Sequence, residues 1–237
     1  MELGSQTRFS ISREARDRFC KTKDAALLPI LEDISILDPR SFRAILMPSL
    51  YGIEGRFLVD KGVSARNIFA VEDNSVERDF DTHDEIVNCR LPDRQEMKGM
   101  MTTSRPMRLP GALDEAWFAL GEGPVNLIYL DFLSQPDPRT HYVGCLRKIV
   151  KGPMLVPGGV LILNFGRSRC RHEVAEFNRV LDERARALRG TKSHRDNAKV
   201  LIEAAVEQWG RISLSRPIES VSYTSGSQVF TTTVATF

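Results

Sequence analysis

Two glycines and two carboxylates carry the most informative spacing in the chain. Gly52 and Gly55 stand in the run YGIEG, and the acidic pair Glu72 and Asp73 begins 20 positions after Gly52. A glycine turn lets the backbone approach a ligand and offers it the N–H groups of a helix start. A carboxylate about 20 residues further on is at the separation where it can accept hydrogen bonds from ribose hydroxyls. The chemistry suited to this pattern is the holding of a nucleoside. The same residues also make a tight strand-to-helix turn with Asp73 and Asn74 as helix caps, and Glu72 can bind while Asn74 caps.

For the glycines and the acids to meet, the elements around them must deliver them to one edge. Ala44 to Met47 reads as a buried strand, Pro48 to Gly55 as a turn, and a short helix ends near Gly62. A second strand spans Asn67 to Val71. Short apolar runs separated by a helical segment indicate a βαβ unit with parallel strands. Its right-handed crossover places the turn and the acidic pair at the carboxyl ends of the strands, where open α/β sheets bind ligands.

Two further groups fall on that edge. Asp131 closes the apolar run VNLIYLD and is followed by the proline-containing loop FLSQPDP. A carboxylate there can orient a substrate hydroxyl or amine, or take up its proton; it can equally cap the loop. Arg167, Arg169 and Arg171 follow a second apolar strand, residues 160–166. They suit the phosphates of a nucleic acid, or form a solvated loop entering the next helix. The four histidines show no metal-ligand spacing, so no metal is expected. Neither GxSxG nor GxxxxGK[ST] occurs, which leaves no sign of serine-hydrolase or P-loop chemistry.

The totals agree with one α/β domain. The chain has 237 residues, 42% hydrophobic and 27% charged, enough to bury a sizeable core. A net charge of +2 does not dictate a polyanionic partner. Four scattered cysteines without CxxC spacing suggest neither a zinc site nor a disulfide framework, and suit a reducing interior. No apolar run approaches a membrane span and no signal-peptide core is present, so a soluble cytoplasmic protein with no membrane partner is expected.

The remaining elements are read in chain order. In the lead, residues 1–40, Ser12 to Lys23 is helix-compatible, Ala25 to Ile36 carries apolar residues, and Pro29 predicts two short helices. This lead either covers the sheet or shapes a substrate entrance. After Asn74 a capped helix extends toward Asn88. The third strand falls on Glu85 to Cys89 or on Lys98 to Thr103; the second is preferred because the helix Gly111 to Leu120 then follows a short loop. A helix over Arg139 to Val150 precedes Pro157-Gly158-Gly159, which turns into the strand over 160–166. Helices over 171–189 and 198–209 follow. IESVSYT and QVFTTTVATF, separated by Ser225-Gly226-Ser227, read as an antiparallel hairpin.

Five strands alternating with helices and then a terminal antiparallel hairpin is an order that resembles the class I S-adenosylmethionine-dependent methyltransferases, over residues from about 40 to 237. The resemblance implies an α/β fold with a doubly wound, mostly parallel seven-stranded sheet of order 3-2-1-4-5-7-6. Helices cover both faces, and the C-terminal hairpin is antiparallel. It implies a lead over 1–40 and a Rossmann-like methyltransferase domain over 41–237, with S-adenosylmethionine as cofactor. The family's first motif falls on ILMPSLYGIEG, so that Ser49, Tyr51, Gly52 and Gly55 support the methionine part. The ribose acid falls on Glu72, with Asp73 as the alternative, and the adenine-flanking loop near Ser104 and Arg105. Asp131 and Phe132 fall next to the reactive methyl, with Asp131 as the catalytic-edge residue.

The turn lacks the first glycine of the family's GxGxG pattern, and Pro48 stands where an acid is usual. The methyl acceptor and the oligomeric state stay open, with RNA or DNA favoured through Arg167, Arg169 and Arg171. A second reading is a methyltransferase-like fold without catalysis that serves as a binding or regulatory subunit. A third, a nicotinamide-dependent oxidoreductase, is disfavoured by the terminal hairpin and the missing glycine.

Overall fold

The computed structural model describes residues 13–47, 53–71, 101–102, 109–132, 142–152, 154–166, 197–225 and 228–237. The first described elements are helix α1 (Arg13–Glu32) and strand β1 (Ala44–Leu46). Helix α2 (Ile53–Asp60), a 3₁₀ turn (Ala65–Asn67) and β2 (Ile68–Ala70) follow. Next come β3 (Met101–Thr102), α3 (Leu109–Ala119), β4 (Val125–Phe132), α4 (Tyr142–Lys151) and β5 (Leu155–Gly166). Helix α5 (Asn197–Trp209), β6 (Glu219–Ser225) and β7 (Gln228–Thr236) are the last of the described elements.

The strands form a mixed sheet in the order β3-β2-β1-β4-β5-β7-β6. The pairs β1–β2, β1–β4, β2–β3 and β4–β5 are parallel, whereas β7 runs antiparallel to both β5 and β6. The runs expected to be central strands owe their near-continuous apolarity to burial on both faces. Alternation assigns the faces: Ala44, Leu46, Leu127, Tyr129, Val160 and Ile162 join one buried cluster with Leu27 and Leu31 of α1 and Leu58 of α2. Ile45, Ile128, Leu130, Leu161 and Leu163 join the other, with residues of α3, α4 and α5. Helices therefore cover both faces, and the terminal hairpin is antiparallel as expected.

Three boundaries correct the sequence-based expectations. Pro29 lies inside the single helix α1 and does not divide it. Its missing N–H removes one helical bond in the last turn, and the packing of Leu27 and Leu31, both fully buried on either side of it, outweighs that loss. Helix α2 starts at Ile53, so Gly55 belongs to its first turn and not to the preceding loop. Strand β5 begins at Leu155, five residues before the expected start, because Pro157-Gly158-Gly159 is a bulge within it and not a turn ahead of it. Across β4, Val125 pairs with Leu155 but Leu127 with Val160, so the extra residues loop out. Gly158 takes φ +80° there, a conformation that costs glycine little.

The close of α2 is as expected. Gly62, at φ +88°, donates to the Val59 carbonyl and Val63 donates to that of Leu58, a Schellman end that only a residue without a Cβ enters cheaply. The third strand falls within the preferred Lys98–Thr103. The helices expected from Asn74 and over 171–189, and the alternative strand over 85–89, lie outside the described residues.

The burial of α1 makes a test. Leu31 is 0% exposed and shares its cluster with Leu46 and Leu127 of the central strands. Leu31→Ala is expected to lower the unfolding free energy by about 2–5 kcal/mol in a single cooperative urea transition. A loss below about 0.5 kcal/mol, the range of ordinary surface changes, would mean that α1 is not part of the core.

Candidate functional site

Helix α1 brings an unexpected residue to the sheet edge. Lys23, Leu27 and Leu31 recur at every fourth position, which stacks them on one helical face. All three are buried, Lys23 at 3% exposure. The two leucines pack on the sheet, and Lys23, one turn further along, reaches the carboxyl end of β4, where its Nζ donates to Oδ2 of Asp131. An ammonium taken out of water needs such a partner, because an unpaired buried charge costs several kcal/mol.

Asp131 is held from a second side. It is the cross-strand partner of Asn164 in β5, and Asn164 is in turn the partner of Thr232 in β7. The three therefore lie on one face in one rung, one rung above Tyr129 and Ile162. Asn164 Nδ2 donates to Asp131 Oδ1 at 2.7 Å. The Asn164 carbonyl accepts from Tyr223 Oη at 3.0 Å and from Thr232 Oγ1 at 3.1 Å. These two hydroxyls fix the amide's orientation, so that its N–H₂ end is the one that meets the carboxylate. Asn164 is fully buried, and the Asp131 side chain keeps 9% of its surface open.

The electrostatics follow from this packing. Burial alone would lower the Lys23 pKa, but Asp131 and Glu54, with the hydrogen bond to Asp131, outweigh it, and the net shift is upward from 10.5. Lys23 is thus a fixed cation. Glu54, fully buried in the first turn of α2, belongs to the same charged neighbourhood. Burial, and then the charges of Asp131 and Glu54, push Tyr129 well above the ordinary phenol value, so it stays a neutral hydroxyl beneath the rung. Its Oη is buried and has no hydrogen-bond partner among the described residues. Burial also pushes the Cys145 thiol up to about 12, which keeps it protonated and rules it out as a nucleophile at neutral pH. Among the described residues no group of three or more His, Cys, Asp and Glu side chains could hold a metal ion.

The strand ends define the edge itself. Leu46 is level with Ala70 and Tyr129, Met47 N–H donates to the Tyr129 carbonyl, and Val71 N–H donates to that of Leu46. Asp131 therefore stands two residues beyond the level of Leu46. Of the site residues expected from the sequence, Asp131 and Phe132 end β4 and Gly55 lies buried in the first turn of α2. Ser49, Tyr51, Gly52, Glu72, Asp73, Ser104, Arg105, Arg167, Arg169 and Arg171 lie outside the described residues. Lys23, Glu54, Asn164, Thr232 and Tyr223 were not expected. Two of them left a signal: Lys23 continues the Leu27–Leu31 stripe by one turn, and Asn164 interrupts an otherwise apolar central strand.

No family model matches the chain, and no curated protein matches it. Among solved structures it is similar to an S-adenosylmethionine-dependent O-methyltransferase from Thermotoga maritima. The identity is 14%, over 94% of this chain and 70% of that one, with a TM-score of 0.43. It is also similar to an S-adenosylmethionine-dependent methyltransferase from Archaeoglobus fulgidus, at 10% identity over 92% and 94% of the two chains, with a TM-score of 0.48. An rRNA methylase from Streptococcus thermophilus is a further likeness, with 12% identity, 97% and 98% coverage and a TM-score of 0.38. No helix among the described residues is long and apolar enough to cross a membrane.

The ion pair has a pH signature with a definite sign. Lys23 has a folded pKa above 10.5, so the stability it adds is fully present below pH 10.5 and is lost as pH rises through the folded value. Urea unfolding of the native protein should therefore show an alkaline decline that begins above pH 10.5. Asp131→Asn removes the largest upward influence on Lys23 and should blunt that decline, while lowering stability at pH 7 by about 3–5 kcal/mol. Parallel alkaline profiles for the two proteins would show that Asp131 does not hold Lys23.

Proposed function

We propose that the chain is an S-adenosylmethionine-dependent methyltransferase whose cofactor binds across the carboxyl ends of β1, β2 and β4. The observation that carries this reading is the sheet itself: β7 inserted antiparallel between β5 and β6, beside a parallel series that runs outward from β4 through β1 to β2 and β3. That is the seven-stranded order 3-2-1-4-5-7-6 implied by the resemblance to class I methyltransferases. The crevice beyond the strand ends, where the order reverses between β1 and β4, is where such sheets take ligands.

The residues at that edge fit the group. Gly55, buried in the first turn of α2, has no side chain to keep a ligand from the backbone, and the carboxylate of Asp131 suits the neighbourhood of a cationic sulfonium. In this reading Ser49, Tyr51, Gly52 and Gly55 support the methionine part. Glu72, with Asp73 beside it, accepts from the ribose hydroxyls, and Ser104 and Arg105 flank the adenine. The cofactor supplies a methyl group on a sulfonium, open to attack by a lone pair in line with the breaking bond. Asp131, with Phe132 beside it, faces the acceptor, and its part is to receive a hydrogen bond from the acceptor's O–H or N–H. Arg167, Arg169 and Arg171 would contact the phosphates of an RNA or DNA acceptor.

One observation favours the second reading, a binding or regulatory protein on the same fold: both oxygens of Asp131 are already engaged, by Lys23 and Asn164. Calorimetry separates the two. S-Adenosylmethionine and its demethylated product are expected to bind, NAD is not, and Glu72→Ala should weaken the first two about ten- to a hundredfold, as loss of a charged hydrogen-bond acceptor does. Undiminished affinity in Glu72→Ala removes that residue from the site; no binding by the native protein moves it to the non-catalytic class. For the acceptor, reversing the charge of the three arginines should weaken RNA or DNA binding and flatten its salt dependence. Unchanged binding would exclude them from such an interface.

A further inference from the structure

The rung that holds Asp131 contains more than the reaction edge of a bare sheet requires. A carboxylate offers about four lone-pair positions. In Asp131, Lys23 takes one on Oδ2 and Asn164 one on Oδ1, so the two donors pin both oxygens and with them the plane of the group. Asn164 is pinned in turn by Tyr223 and Thr232. The carboxylate keeps further lone pairs beyond these two, and 9% of its side-chain surface stays open. Three of the four supporting groups come from strands of the sheet. Lys23 comes from α1, ahead of the first strand, and is itself 3% exposed, so it cannot serve as a solvent-facing contact for a large ligand.

We infer that Lys23 is a positioning residue: its ammonium fixes the Asp131 carboxylate in the orientation that receives the acceptor's hydrogen bond, which makes α1 part of the reaction site. The inference rests on the methyltransferase reading of the same edge. It separates two roles for α1, a cover whose packing stabilises the fold and an arm that sets the geometry of a group it does not share an element with. Lys23 does not touch the acceptor in this scheme. Its effect is transmitted through Asp131 alone, which gives the inference a sharp consequence: without the carboxylate, Lys23 should cease to matter to turnover.

The experiment is a double-mutant cycle on methyl transfer from S-adenosylmethionine to bulk RNA by the full chain, with Lys23→Gln, Asp131→Asn and the combined variant, each first shown to be folded by urea unfolding, whose alkaline profile reads the same Lys23–Asp131 coupling without turnover. A glutamine keeps a donor at the end of the side chain but removes the charge and shortens the reach. Lys23→Gln should lower kcat about ten- to a hundredfold, the cost of a misplaced reacting partner, with the KM for the cofactor unchanged. In the Asp131→Asn background the same change should lower kcat no further. Lys23→Arg, which keeps the charge and adds donors, should restore most of the rate. Leu27→Ala, which loosens α1 without touching the pair, should lower stability and leave kcat unchanged. Equal losses of kcat from Lys23→Gln and Leu27→Ala, or independent multiplying effects of Lys23 and Asp131, would overturn the inference while leaving the methyltransferase reading in place. A native protein that neither binds the cofactor nor transfers its methyl group overturns both.

Discussion

A single buried charge pair organises the described part of this molecule. Lys23 and Asp131 are 108 positions apart in the chain, one on the helix before the sheet and one at the end of its central strand. Neither charge is tolerable alone at that depth, and each is the other's direct counter-charge. Such pairs add little net stability over a well-packed apolar substitute, since desolvation offsets most of the attraction. What they do is exclude alternatives. A helix held only by Leu27 and Leu31 can slide by a turn and still bury leucine; a helix that carries a buried ammonium has one depth and one rotation in which the cation is satisfied. The pair specifies where α1 lies, and the leucines supply the adhesion.

From that constraint the rest of the edge follows. With Asp131 anchored by α1 on one side and Asn164 on the other, two strands and a helix agree on the position of one carboxylate. Tyr223 and Thr232 extend the agreement to β6 and β7, so that the terminal hairpin also contributes to the order of the edge. Tyr129, a neutral hydroxyl one rung below, keeps the floor of the rung uncharged while the pair above it carries the field.

Much of the architecture was legible before any coordinates. Continuous apolar runs such as VNLIYLD can only be strands buried on both faces, and two β-branched runs around Ser225-Gly226-Ser227 can hardly be anything but a hairpin. Local punctuation was less reliable. Proline breaks helices in general, but Pro29 sits between two leucines pressed on the sheet, and Pro157-Gly158-Gly159 turns a chain in general but here only bulges a strand that the neighbouring ladder has already aligned. Both misreadings come from local chemistry losing to long-range packing. At the edge, Asp131 was legible because a strand end is a local feature. Lys23 was not: a lysine among charged neighbours looks solvated until the stripe it shares with Leu27 and Leu31 is known to be pressed against a sheet. The partner that makes its burial possible is set by the fold, and no spacing rule links the two.

The antiparallel insertion of β7 bears on how the chain comes to be folded. The strand latest in sequence lies inside the sheet, flanked by β5 and β6, and Phe237 just beyond it pairs with the backbone of the bulge at Gly158 and Gly159. During vectorial synthesis β5 is complete long before β7 leaves the ribosome, so a nascent chain carries a long, flat, apolar strand with an open hydrogen-bonding edge for that interval. Ladder formation across that gap joins Val160 to Thr236, 76 positions on, and non-local pairing of this kind is slow. The edge that waits, Val160 to Gly166, lies beyond the bulge and stays open until β7 arrives.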